Sequence, residues 1–208
     1  MQNKIILPQW LDDLIYKQLG AKYCRSNTDM TVIDWDKNDV LNYLGTYFPR
    51  SYAESYCIFS EFFTYRPQQF SDKKELRILD FGCGTGGEIV GLLQNIESFY
   101  PQATHISIIG IDGNLHALRL LERILSEYQK RTKIVISIQI APIRIGNFFD
   151  QSVLNEVIKD KYDLILFFKA ICEFVTKDQF EGAFIQRNPA NSFKVTKKGC
   201  KEQRILED

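Results

Sequence analysis

Six residues, Gly82-Cys83-Gly84-Thr85-Gly86-Gly87, follow directly on the apolar run Leu76-Arg77-Ile78-Leu79-Asp80-Phe81, and four of the six are glycine. A short apolar run of this kind reads as a buried strand. Beyond the glycines, Ile89, Leu92, Leu93, Ile96 and Tyr100 keep the spacing of one helix face, and Pro101 closes it. A chain that turns at once from strand into helix needs glycine for its backbone angles and for close approach of a ligand. This unit commits the middle of the chain to an α/β arrangement.

The pattern continues downstream. His105 to Ile111 reads as a second strand, and Leu118, Leu121, Leu125 and Tyr128 mark a second helix that ends on Lys130 and Arg131, as the helix dipole prefers. A third strand is expected within Lys133 to Ile145, its limits blurred by Pro142, and a fourth over Tyr162 to Phe168. Strand-helix alternation predicts a Rossmann-like parallel sheet with right-handed crossovers and strand order 3-2-1-4.

Upstream, a helix is expected over Pro8 to Leu19, ended by Gly20. Ser51 and Glu54 have the spacing of a capping box, which predicts a helix starting at Ser51 with Phe48 and Pro49 in the chain that leads into it. Tyr52, Tyr56, Phe59 and Phe63 then form a stripe that reads as core packing, or as the wall of a pocket. The expected division is an N-terminal helical extension (1–70), a Rossmann-like domain (71–186) and a polar C-terminal tail (187–208). Strand signals fade after Val175. Asn188-Pro189-Ala190-Asn191 breaks any helix, and one weak strand remains around Ser192 to Val195. The sheet is therefore expected to be incomplete at its C-terminal side, leaving strand four as an apolar edge for a partner to cover.

Lys plus Arg and Asp plus Glu are equal at 26 each, so the chain lacks the long-range positive field that supports non-specific nucleic-acid binding. The cysteines, Cys24, Cys57, Cys83, Cys172 and Cys200, form no C-x-x-C pair, and His105 and His116 lie far from all but Cys83. That argues against a zinc or iron–sulfur site, and the odd cysteine count suits a reducing, cytoplasmic setting. No stretch approaches the roughly 20 apolar residues of a membrane span.

The chemistry centres on two acids. Gly82, Gly84 and Gly87 also satisfy G-x-G-x-x-G, which usually implies a dinucleotide with its pyrophosphate on the helix N-terminus. Asp80, two residues before the first glycine, would repel a pyrophosphate and suits a ligand carrying an ammonium and a sulfonium. Asp112, at the end of the second strand, is placed to accept hydrogen bonds from both hydroxyls of a ribose; the plainer reading is a helix-capping aspartate.

The run Leu79-Asp80-Phe81-Gly82-Cys83-Gly84-Thr85-Gly86 resembles motif I of the class I S-adenosylmethionine (SAM)-dependent methyltransferases, and Asp112 matches their acid after strand two. The resemblance covers about residues 50 to 175. It implies that SAM is the cofactor, with Asp80 and the backbone around Gly82, Cys83, Gly84 and Gly86 at its methionine end. It further implies Asp112 on the ribose, Gly113 and Asn114 beside the adenine, Asn147 hydrogen-bonding the adenine and Phe148 stacking on it. Phe168, with Lys169, Cys172 and Glu173 after it, falls where the family places groups near the transferred methyl. No catalytic base is evident, and Asn/Asp-Pro-Pro-Tyr/Phe is absent from that position. Phe48-Pro49-Arg50-Ser51-Tyr52-Ala53 also resembles the ribosomal small-subunit methyltransferase-like family, whose cysteine-rich C-terminal elements have no counterpart here.

The sequence therefore leads to a methyltransferase of unidentified acceptor (small molecule, protein or RNA). The competing reading is a truncated or non-catalytic SAM-binding or assembly protein. An NAD-linked oxidoreductase is disfavoured by Asp80.

Overall fold

The computed structural model describes residues 5–24, 35–144, 155–159 and 161–168. In chain order its elements are α1 (Gln9–Asp12) with a π-helical turn (Asp13–Gln18), α2 (Lys37–Tyr65), β1 (Glu75–Phe81), α3 (Gly87–Phe99), β2 (His105–Asp112), α4 (Leu115–Gln129), β3 (Val135–Pro142) and β4 (Leu164–Leu166). The four strands are parallel and lie in the order β3-β2-β1-β4. This is the expected Rossmann-like sheet. β4 is shorter than the run Tyr162 to Phe168 that forecast it, and Pro142 ends β3, tolerable because β3 is an edge among the described strands.

Alternation along each strand divides the apolar residues between two faces. Leu76, Ile78, Ile106 and Ile108 join the helices in one large core, whereas Leu79, Phe81, Ile111 and Ala141 form a second cluster with Val157, Ile158 and Tyr162. On that second face Phe81 stacks on Phe167, with centroids 4.6 Å apart and planes at 7°. The start of β4 is held by Asp163, which accepts the Arg77 amide at 2.8 Å and pairs with Lys73.

The N-terminal helices differ from expectation in one respect. α1 and its π-helical turn end where Gly20 adopts φ +74°, as forecast, but the second helix does not begin at Ser51. It begins at Asp36, whose carboxylate accepts the Asn38 and Asp39 amides while Asp39 reaches back to the Asp36 amide. Ser51 and Glu54 are interior, and so is Pro49. An interior proline leaves the carbonyl four residues earlier without its amide partner. Here that carbonyl is Gly45, and it receives the Tyr16 hydroxyl at 2.6 Å. The π-helical turn thus supplies what Pro49 removes.

α2 lies across α3 with almost nothing between the backbones. A Cβ on Gly87 would meet the Phe48 carbonyl oxygen at 2.5 Å, and one on Gly91 would meet that of Tyr52 at 2.6 Å. Ser51 and Ser55, one helical turn apart, face the same contact, and the Ser55 hydroxyl donates to the Glu88 carbonyl. Tyr52, Phe59 and Phe63 are buried, and Phe63 meets Phe70, Phe99 and Tyr100 edge-on or tilted. The aromatic stripe is core packing for these three rings; Tyr56 is half-buried.

Candidate ligand site at the ends of β1 and β2

In an open parallel sheet, ligands bind beyond the carboxyl ends of the strands, where neighbouring crossovers leave in opposite directions. β1 is that strand here, flanked by β2 and β4. The glycine turn leaves its end with Gly82, Gly84 and Gly86 at φ +68°, +48° and +78°, angles that side chains with a Cβ rarely adopt. The Gly82 and Cys83 amides both donate to the Ile111 carbonyl, at 2.7 and 3.2 Å, which ties the turn to the end of β2.

Asp112 adds a second tie. One of its oxygens accepts the Gly84 amide at 2.9 Å and the other accepts the Asn114 amide at 2.8 Å. Burial raises its pKa, and these two amides oppose the shift. The helix cap is a different residue: Asn114 accepts the His116 and Ala117 amides at the start of α4. The plainer reading of Asp112 as a cap therefore fails, because Asn114 does that work and Asp112 faces the glycine turn.

Asp80 is fully buried, and among the described residues neither of its oxygens receives an N–H or O–H donor. Its pKa is pushed well up by burial, then by the neighbouring Glu88 and, to a smaller extent, Asp112. Glu88, in the first turn of α3, is 4% exposed. Cys83 is also buried, and its thiol is pushed up by burial and by the three surrounding carboxyls. A thiol held protonated in this way is a poor nucleophile, in keeping with a turn residue.

Two neighbours of the site carry no sequence signal pointing to it. Glu88 reads in the sequence as an ordinary acid at a helix start; only its fold back onto β1 makes it a partner of Asp80. Tyr43 comes from α2, and a Cβ on Gly84 would lie 3.2 Å from its hydroxyl oxygen. Tyr43 stacks on Tyr47 at 5.1 Å and meets Trp35 edge-on at 5.6 Å, so the ring that borders the turn is itself packed by two other half-buried rings. The Trp35 carbonyl accepts the Asn114 amide group at 3.1 Å, which fastens this end of α2 to the start of α4.

The structure therefore brings together Asp80, Gly82, Cys83, Gly84, Gly86, Asp112 and Gly113, with Glu88 and Tyr43 beside them. Phe168 lies just past β4 and is half-buried. Asn147, Phe148, Lys169, Cys172 and Glu173 lie outside the described residues, as does the weak strand forecast at Ser192 to Val195. Among the described residues no three potential metal ligands gather, and no helix is long and apolar enough to cross a membrane. Open hollows of about 360 and 390 Å³ lie between α2 and the N-terminal residues, lined by residues such as Ile5, Tyr56 and Cys57 or Leu7, Tyr16 and Pro49. Neither contains a residue of the glycine turn.

Neither a protein-family model nor a curated protein matches the sequence. Solved structures do. A Methanococcus maripaludis protein described as a candidate S-adenosyl-L-methionine-dependent methyltransferase is 18% identical, with a TM-score of 0.32, over 56% of this chain and 45% of that one. The plantazolicin methyltransferase BpumL, solved in complex with SAH, is 21% identical with a TM-score of 0.33, over 74% of this chain and 44% of that one. MnmC2 from Aquifex aeolicus is 13% identical with a TM-score of 0.31, over 76% of this chain and 56% of that one. The chain thus spans about half the length of the structures it matches.

Proposed function

We propose that this chain binds SAM at the ends of β1 and β2 and transfers its methyl group to an acceptor. The observation that carries the reading is Asp80, a fully buried carboxyl with no donor on either oxygen among the described residues, next to a turn of left-handed glycines. Burying a carboxyl without a partner is costly. A ligand that brings an ammonium group removes that cost, whereas a pyrophosphate would face the carboxyls of Asp80, Glu88 and Asp112.

The remaining residues suit the rest of such a ligand. Gly82, Gly84 and Gly86 give the left-handed turn whose backbone would meet the amino-acid end of the ligand, and Asp112 offers acceptors for a ribose diol beside Gly113. Bound SAM would supply an electrophilic methyl on a sulfonium. This chain's contribution is to hold that methyl in line with an acceptor lone pair and to keep water away, which Tyr43 and its neighbouring rings do from the α2 side. Charge-assisted hydrogen bonds are each worth about 1.5–3 kcal/mol, so the ribose contacts alone account for an order of magnitude in affinity.

The test is calorimetric titration of the full chain with SAM, S-adenosylhomocysteine and NAD. Binding of both adenosyl ligands and not of NAD supports the reading; no binding by a folded chain removes it. Transfer of label from methyl-labelled SAM into a component of a cell extract then separates an enzyme from a SAM-binding or assembly protein. A cytoplasmic setting and a covering partner at the β4 edge belong to the same proposal.

A further inference from the structure

β3 is eight residues long, Val-Ile-Ser-Ile-Gln-Ile-Ala-Pro, and its register with β2 runs unbroken from Val135 to Pro142. Long, regular edge strands invite pairing, and folded proteins blunt them with charges, bulges or proline. β3 contains no charged residue and no bulge. Its outer edge is nevertheless closed at both ends and, among the described residues, open between them.

Successive residues of a strand turn their N–H and C=O groups to opposite edges. The Val135 amide donates to the Thr104 carbonyl at 2.9 Å, on the β2 side, so Ile136, Ile138 and Ile140 turn theirs outward. At one end the Gln129 side chain takes the place of a neighbouring strand. It accepts the Ile136 amide at 2.6 Å and donates to the Ile134 carbonyl at 2.9 Å. At the other end Pro142 has no N–H to offer. Between these stops the outward N–H and C=O groups of Ile138 and Ile140 have no partner among the described residues.

We propose that two copies of this chain pair through this window, antiparallel, about a two-fold axis at Gln139. Ile138-Gln139-Ile140 reads the same in both directions, which favours a second copy over an unrelated strand. In that register Ile138 of each copy lies opposite Ile140 of the other, and each such pair exchanges both backbone hydrogen bonds. The isoleucine side chains, half-buried against the helices in one copy, meet on that face as cross-strand pairs. The exposed Gln139 meets its own counterpart on the opposite face, amide to amide. The closed ends fit the same register. Pro142 lands opposite Ile136, whose N–H Gln129 already holds, so neither copy needs a hydrogen bond there. The strands of the two copies run in opposite directions, so their ligand sites open at opposite ends of the joined sheet. Pairing of this kind requires nothing of the SAM site.

The experiment is sedimentation velocity of the full chain over a wide range of concentration, beside Gln139→Lys, Gln139→Glu and an equal mixture of the two. The unaltered chain should dimerise reversibly. Either change sets like charges opposite each other at the axis and should raise the dissociation constant about fivefold or more. The mixture sets Lys opposite Glu and should recover the dimer. Gln139 is exposed, so neither change disturbs the core. Hydrogen exchange of the unaltered chain should show the Ile138 and Ile140 amides protected in the dimer and exchanging on dilution. A chain that is monomeric at every concentration would overturn the proposal. Fast exchange at these two amides would then leave the edge to a different protein, and slow exchange to a segment of the chain itself. A dimer indifferent to both changes would overturn it too, placing the contact on another surface. So would a mixture that associates no more tightly than either variant alone.

Discussion

The amide of Gly84 donates to the Asp112 carboxylate at 2.9 Å, so the residue that ends β2 fixes the turn that follows β1. The same carboxylate holds the Asn114 amide just ahead of α4. Asp112→Ala should therefore have two effects. Two amides lose their acceptor, which lowers stability by about 1–3 kcal/mol, read as a lower denaturant midpoint. Affinity for SAM and S-adenosylhomocysteine should fall tenfold or more, read by calorimetry. Unchanged affinity in a folded variant would remove Asp112 from the ribose site.

Asp80 predicts a pH dependence of opposite sign to that of an ordinary paired acid. Its folded pKa is raised, so the native state keeps a proton that the unfolded chain gives up near pH 4. Stability should fall as pH rises from about 4 through the raised folded value. Asp80→Asn removes the charged form, so thermal unfolding should flatten with pH and occur at higher temperature above neutrality. SAM affinity should drop at least tenfold in the same variant. A melting profile for Asp80→Asn that parallels the unaltered chain at every pH would contradict this.

The crossing of α2 and α3 predicts an uneven response to adding one methyl group. A Cβ on Gly91 would sit 2.6 Å from the Tyr52 carbonyl oxygen, whereas one on Gly20 meets nothing within 4 Å. Gly91→Ala should cost about 1–3 kcal/mol by forcing the helices apart. Gly20→Ala carries only the strain of φ +74°, about 1–2 kcal/mol, with no packing defect. Near-ultraviolet circular dichroism, which reports the aromatic core, should change for Gly91→Ala alone.

Tyr16 and Pro49 should be coupled. Tyr16→Phe strips the Gly45 carbonyl of its donor and should cost about 1–3 kcal/mol. In a Pro49→Ala background the restored amide at position 49 can serve that carbonyl, so the same change should cost less. A double-mutant cycle in denaturant measures the difference, and strict additivity would show that Tyr16 does not replace the missing amide.

Much of the sheet was legible because its signals are local. Leu76 to Phe81 and His105 to Ile111 are apolar runs bounded by turns, and strand order follows from the handedness of the crossovers. The glycine turn and both strand-end acids were legible for the same reason. The start of α2 was misplaced because Ser51 and Glu54 imitate a capping box and Pro49 imitates a boundary. What overrides both is a bond from Tyr16, 29 positions from Gly45, which no local window contains. Glu88 and Tyr43 were missed at the site because each arrives through packing, one by the fold of α3 back onto β1 and the other by the crossing of α2.

That crossing also makes α2 a lever with a fixed fulcrum. The helix is roughly 44 Å long at 1.5 Å per residue, and its contact with Gly87 and Gly91 falls near the middle. The arm beyond it is anchored by Phe59 and Phe63 in the core, while the other arm carries Tyr43 and leads to Trp35. Backbone pressed on backbone cannot slide by repacking side chains, so a shift of the Tyr43 backbone away from the glycine turn would have to be taken up by bending of its own arm. The weakest rung of that arm is the one Pro49 has already emptied, and the Tyr16 hydroxyl latches it. A bend of that arm at the proline would therefore have to break the Tyr16–Gly45 bond.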